Sequence, residues 1–281
     1  MDSAPEAECW DRIRRLEQAV LENPFDEDPA IELGRSYLEN NCYPEAVAVL
    51  ENLKSRKPGA LELYPLLGLS YLNSDRAKEA IGHFMVAMSH SPQEGYLYWC
   101  MGDALFKAKH FPQAIEYYKG SAELEPGNTL PLRKMAQAFF DMGRVDEAID
   151  ILREALKYDG AVPELWSSLG WAFIHQGRYA EAIEPLKQSL ALKSDNIQCI
   201  KSLGLAAFAL GRKEASFQSY QIALGLNPKD EEALFGLGIL FVSSGDLKSA
   251  FRQYESLQSV KSALSEDLYA KILERKELMV A

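Results

Sequence analysis

The chain has 281 residues, 47% of them hydrophobic and 25% charged, proportions of an ordinary globular protein that exclude collagen and a disordered coil. Acidic residues outnumber basic ones 41 to 30, and a net charge of −11 repels phosphate backbones and anionic lipid heads, which argues against nucleic acid and acidic membranes as partners. Uncharged stretches such as Ala233 to Gly245 stop well short of the ~18 residues a membrane span needs, so no membrane insertion is expected.

Residues 1–10 are polar and acidic, without the basic start and apolar run of a secretory leader. Cys9, Cys42, Cys100 and Cys199 lie far apart with no C-x-x-C pair, a usage that suits a reducing compartment and does not resemble a zinc site. Together these features predict a cytoplasmic protein with buried, inert thiols. Leu16, Ala19 and Pro24 then sit in register with the second helix of a unit whose first helix is missing, so residues 1–26 read as a tail and a half repeat.

From Glu27 to Leu264 the chain repeats every 34 residues without an insertion, in seven units: 27–60, 61–94, 95–128, 129–162, 163–196, 197–230 and 231–264. In the first half of a unit, Trp166, Leu169, Gly170 and Phe173 share offsets with Tyr64, Leu67, Gly68 and Tyr71, and with Tyr98, Met101, Gly102 and Leu105. In the second half, Ala46, Ala80, Ala114, Ala148, Ala182 and Ala250 recur, with Leu50, Phe84, Tyr118, Leu152, Leu186 and Tyr254 four places later; the sixth unit has Ser216 and Tyr220 there. Spacings of three and four place these residues on one face of each of two successive helices, so each unit is a helical hairpin and the fold is all-α. Gly143, Gly177, Gly211 and Gly245 fall where the first helix must stop, and Pro58, Pro92, Pro126 and Pro228 close the second. Pro44 and Pro112 fit the first turn of a second helix. Gly34, Gly68, Gly102, Gly170, Gly204 and Gly238, with Ala136 in the fourth unit, are expected to let the paired helices approach closely. Pro185 falls inside a second helix and predicts a kink there. Residues 265–281 read as a capping helix, with Leu268, Ile272 and Leu273 turned inward and Lys271, Glu274, Arg275, Lys276 and Glu277 outward.

The pattern aromatic-x-x-Leu-Gly-x-x-aromatic, then Ala-x-x-x-aromatic and Pro at a period of 34, resembles the tetratricopeptide repeat family. That resemblance implies a right-handed superhelical solenoid of stacked hairpins, with a concave groove lined by the first helices. Family members hold ligands through five places on each first helix. One of these places is apolar in all seven units (Leu38, Leu72, Phe106, Phe140, Ile174, Phe208, Val242) and reads as core. With it set aside, 10 of 28 inner places are apolar against 5 of 28 on the outer face of the second helices, so the groove is the greasier surface. The candidate ligand residues are Leu69, Tyr96, Trp99, Leu130, Arg133, Trp171, Leu205, Phe235 and Ile239. Arg35, Lys107, Arg133, Lys134 and Lys201 are candidate donors between these anchors, and Glu39, Asp103 and Asp141 candidate acceptors. A Lys followed four residues later by Asn, which some family members use to clamp a terminal carboxylate, occurs in no unit.

Nothing in the sequence points to catalysis. His83, His90, His110 and His175 are scattered with no metal-pair spacing, no phosphate loop of the type G-x-x-x-x-G-K-[ST] is present, and acids such as Asp26, Glu27 and Asp28 suit a solvated helix start. No cofactor or metal is expected, and the chain does not read as an enzyme. The leading expectation is a scaffold, adaptor or chaperone that binds an apolar or amphipathic peptide or helix of another protein. The alternatives are a homo-oligomer built through the N-terminal half repeat around Trp10, Ile13 and Leu16, and a regulatory or targeting subunit of an enzyme complex.

Overall fold

In the computed structural model the described residues are 4–280, with side chains described for residues 9–279. Residues 1–3 of the expected tail, and Ala281, lie outside the described residues. Sixteen helices and no strand occur among the described residues, in two compact units, Met1–Arg144 and Val145–Ala281. No described helix is long and apolar enough to cross a membrane.

The first unit holds α1 (Ala4–Glu22), α2 (Glu27–Glu39), α3 (Tyr43–Arg56), α4 (Leu63–Asn73), α5 (Ala77–His90), α6 (Gly95–Lys107), α7 (Phe111–Leu124) and α8 (Leu130–Asp141). Each helix packs on its neighbours in sequence, and the first helices also pack on one another, α2 on α4, α4 on α6 and α6 on α8. The spacing rules explain the interior. Ala46, Ala80 and Ala114 are fully buried, as are Leu50, Phe84 and Tyr118 four residues later. Each of these large side chains lies against the glycine sixteen residues earlier: a Cβ on Gly34 would come within 2.7 Å of Leu50, and one on Gly102 within 2.6 Å of Tyr118. The missing methyl therefore admits a whole ring or isobutyl group, whose burial stabilises by about 1.5–3 kcal/mol each. At the start of the unit, Ile13 of α1 is buried with Leu33, Tyr37 and Ala46, and the Tyr37 hydroxyl donates to Glu17 at 2.5 Å.

The second unit holds α9 (Val145–Tyr158), α10 (Pro163–His175), α11 (Tyr179–Leu192), α12 (Ile197–Ala209), α13 (Lys213–Leu226), α14 (Glu231–Ser244), α15 (Leu247–Ser259) and α16 (Leu264–Val280). Gly170 faces Leu186 and Gly204 faces the Tyr220 ring by the same rule. Ser216, standing where other units have alanine, is fully buried, and its hydroxyl donates to the Gly204 carbonyl at 2.7 Å, which removes the penalty of burying it. α11 carries Pro185 without interruption.

The C-terminal end departs from the repeat: the space over Gly238 is filled by Leu268 of α16 and not by Tyr254, because α16 packs on α14 as well as on α15; Tyr254 stacks on Tyr269 with centroids 5.0 Å apart. Two expectations also fail there. Leu268 and Ile272, one turn apart, are buried, whereas Leu273 lies about 100° further round the helix and is 41% exposed. Arg275, expected outward, is half-buried with its Nε sealed off.

The turns follow one design. Asn41, Asp75, Lys109, Gly143, Gly177, Gly211 and Gly245, spaced by 34 residues, all have left-handed backbones with φ between 57° and 83°. In each, the next residue's N–H bonds back across the turn, as from Cys42 to the Tyr37 carbonyl and from Arg212 to that of Ala207, closing the first helix with a Schellman cap.

Candidate functional site

The first-helix faces are described unit by unit. In the first unit, Tyr96 on α6 and Leu130 on α8 share one repeat place, Trp99 on α6 and Arg133 on α8 share another, and Leu69 on α4 stands at a third; the three helices pack on one another in order. Tyr96 is 41% exposed, while Leu69, Trp99, Leu130 and Arg133 are half-buried. The Tyr96 and Trp99 rings are tilted against each other with centroids 6.1 Å apart. The indole Nε1 of Trp99 is buried without an acceptor. Burial pushes the Cys100 thiol up to about 12, so it stays protonated.

Most of the polar residues expected to orient a ligand are committed within the fold. The Lys107 ammonium donates to the Leu72 carbonyl at 2.9 Å and to Asp75 Oδ1 at 3.1 Å, capping the preceding first helix. Asp103 accepts from the Tyr118 hydroxyl at 2.6 Å and pairs with Lys134 at 3.2 Å. Arg35 lies 3.5 Å from Glu32, Glu39 lies 3.9 Å from Arg12, and Asp141 accepts from Gln137. The pairings of Lys107 and Lys134 are hidden in the sequence because the partner is 31 to 35 residues away, on the neighbouring hairpin. Arg133 has no side-chain partner among the described residues of its unit.

In the second unit, Trp171, Leu205 and Ile239 occupy one repeat place on α10, α12 and α14, which pack on one another in that order. Trp171 is 46% and Leu205 42% exposed, Ile239 is half-buried, and so is Phe235 one turn before it. The shared repeat place sets these side chains in an apolar row across three successive helices. His175, which the reading of candidate sites passed over, lies one turn beyond Trp171 with its ring centroid 5.4 Å from the indole; the i, i+4 spacing was the available signal. Lys201 is not a free donor. It is buried, pairing with Asp230 at 3.0 Å and with Glu232 at 2.7 Å. Burial opposes its charge, but the hydrogen bonds to Glu232 and Asp230 outweigh that and hold the ammonium above its ordinary value. Asp230 also caps α14 by accepting from the Ala233 N–H at 2.9 Å, so one carboxylate serves both the helix and the lysine.

The tetratricopeptide repeat family model matches residues 133–197 and 202–261. Among solved structures, the C-terminal part of a TPR repeat-containing protein from Cytophaga hutchinsonii has a TM-score of 0.69 at 16% identity, covering 85% of this chain and 98% of that one. Cut9, in the APC/C hetero-tetramer Cut9-Hcn1, gives 0.63 at 19% identity over 94% of this chain. This chain spans about half of Cut9's length, 52%. YrrB, described as a TPR protein with an unusual peptide-binding site, gives 0.53 at 20% identity, covering 66% of this chain and 95% of that one. A comparison with curated proteins found no match. Hairpins closed by left-handed turns at a 34-residue period, a matching family model and neighbours of the same fold lead to one conclusion: residues 133–261 belong to the tetratricopeptide repeat family, and the chain as a whole has that family's fold.

Proposed function

We propose that the chain is a non-catalytic protein-interaction scaffold, working as an adaptor or chaperone that holds an apolar or amphipathic segment of another protein on its first-helix faces. The observation that carries this reading is the row Trp171, Leu205 and Ile239, where two large side chains at one repeat place on successive first helices stay more than two-fifths exposed. Exposed aromatic and aliphatic groups of this size are typical anchors of an interface. Covering three or four at about 1.5–3 kcal/mol each, less the cost of ordering the ligand, supports micromolar binding.

The test is affinity capture from native lysate with the chain beside a Trp99→Ala/Trp171→Ala double variant of equal helicity, read by mass spectrometry. A recurrent partner lost in the variant supports the reading; the same partners in both would overturn it.

A second reading, self-association through the N-terminal end, loses Ile13 and Leu16 of the expected surface, because both pack within the chain against Leu33, Tyr37 and Ala46, and rests on Trp10, Leu21 and Phe25, which are 44%, 74% and 68% exposed. It predicts an oligomer in light scattering that a Trp10→Ser/Leu21→Ser/Phe25→Ser variant converts to monomer.

A further inference from the structure

The second unit presents more than an apolar row. Seven residues N-terminal to Trp171, Leu205 and Ile239 stand Glu164, Gln198 and Glu232, a parallel row about 10 Å away along the same helices. All three are exposed. Glu164 and Glu232 lie in the first turns of α10 and α14, where the helix dipole favours the ionised carboxylate. The cation between the rows is Lys201, and it is already matched by two carboxylates, Asp230 and Glu232, so this group carries a net negative charge. Glu164 adds a second negative charge, and its carboxylate has no cationic partner among the described residues. The face is thus an exposed apolar strip bordered on one side by surplus acid.

We propose, building on the scaffold reading, that this face of the second unit takes an amphipathic helix whose apolar stripe covers Trp171, Leu205 and Ile239 and whose flank carries lysine or arginine toward Glu164 and Glu232. The dimensions fit. Packed helices lie about 8–10 Å apart, so the apolar row spans about 20 Å, the length of roughly 14 helical residues. A helix about 10 Å across, laid on that row, brings its flank over the acidic row, within reach of a lysine or arginine stem. An acidic flank meets like charge there and is rejected.

The test selects from a displayed library of random peptides of roughly 16 residues on the full chain, on Trp171→Ala and on Glu164→Lys, each checked for wild-type helicity. The enriched sequences from the wild type should combine apolar residues at helical spacing with lysine or arginine on one flank. Synthetic versions should bind at least about ten-fold more tightly than their glutamate-flanked counterparts, a difference that shrinks as salt screens it. Glu164→Lys should abolish or reverse the preference for basic flanks, and Trp171→Ala should lose the whole set. Binding that depends on Trp171 but is indifferent to flank charge overturns this inference and leaves the scaffold reading standing. Sequences enriched equally on Trp171→Ala, or no enrichment over an unrelated protein, overturn both.

Discussion

Arg133 and Lys201 occupy the same repeat place, two repeats apart, one in each compact unit, and have opposite fates. Arg133 is half-buried with no side-chain partner among the described residues of its unit, whereas Lys201 is buried between Asp230 and Glu232. Lys201 has both acceptors on the neighbouring hairpin of its own unit, and one of them, Asp230, also caps α14, so the lysine is tied to the start of that helix. A repeat place therefore fixes where a side chain stands, and the neighbouring hairpin decides whether it belongs to the structure or is left for a ligand.

The largest expected effect breaks that contrast. Lys201→Met leaves two carboxylates facing each other without their cation and should cost about 2–3 kcal/mol in urea unfolding, below the full loss for a wholly buried pair because Glu232 is largely exposed. Arg133→Met should stay within about 0.5 kcal/mol. The pH dependence follows from the raised pKa of Lys201: its contribution is complete below the ordinary lysine value of about 10.4 and is lost as pH rises through the higher folded value. Wild type should thus lose stability above pH ~10.4 in a way that Lys201→Met does not; parallel curves for the two proteins would show that the pair contributes nothing.

The turns give the next contrast. Gly177, Gly211 and Gly245 in the second unit have the left-handed backbone at no steric cost, while Asn41, Asp75 and Lys109 in the first adopt it with side chains. Gly211→Ala should cost about 1–2 kcal/mol, and Lys109→Gly should gain several tenths to about 1 kcal/mol, both read as shifts in the unfolding midpoint. If Lys109→Gly destabilises, its side chain holds something that outweighs the backbone strain.

These turns also show what was legible in the sequence. The period and the faces were, because burial at spacings of three and four is local chemistry: Ala46, Leu50, Ala80 and Phe84 are as buried as their register predicts. Four of the seven left-handed turn residues were legible as glycines; Asn41, Asp75 and Lys109 were hidden, since the capped turn imposes the conformation whatever the residue. Where α16 replaces the next hairpin, the register no longer gives the contacts: Leu268 lies over Gly238, where the second helix of the same hairpin lies over the glycine in earlier units. At the candidate site, the apolar residues could be placed but the polar ones could not be assigned a role. Lys107, Lys134 and Lys201 look alike on a helical wheel, and only the adjacent hairpin shows each to be bound to an acid.

The smallest contrast lies between the tyrosines that fill the glycine slots. Tyr118 in the first unit is fully buried, and its hydroxyl donates to Asp103, which in turn holds Lys134, so one carboxylate ties α7 and α8 to α6. Tyr220 in the second unit lies between Gly204 and Gly236 with no such acceptor, its hydroxyl pushed up to about 12 by burial and by Glu232. Tyr118→Phe removes a hydrogen bond to a charged, partly buried carboxylate and should cost about 1–1.5 kcal/mol, while Tyr220→Phe keeps the packed ring and should change stability by less than about 0.5 kcal/mol. A double variant, Tyr118→Phe/Lys134→Met, sharpens the point. If Asp103 is the shared anchor, the two losses will not add, because the carboxylate left by one partner relaxes toward the other. Strict additivity would mean that the hydroxyl and the ammonium act on Asp103 independently, each tying its own helix to α6 without help from the other.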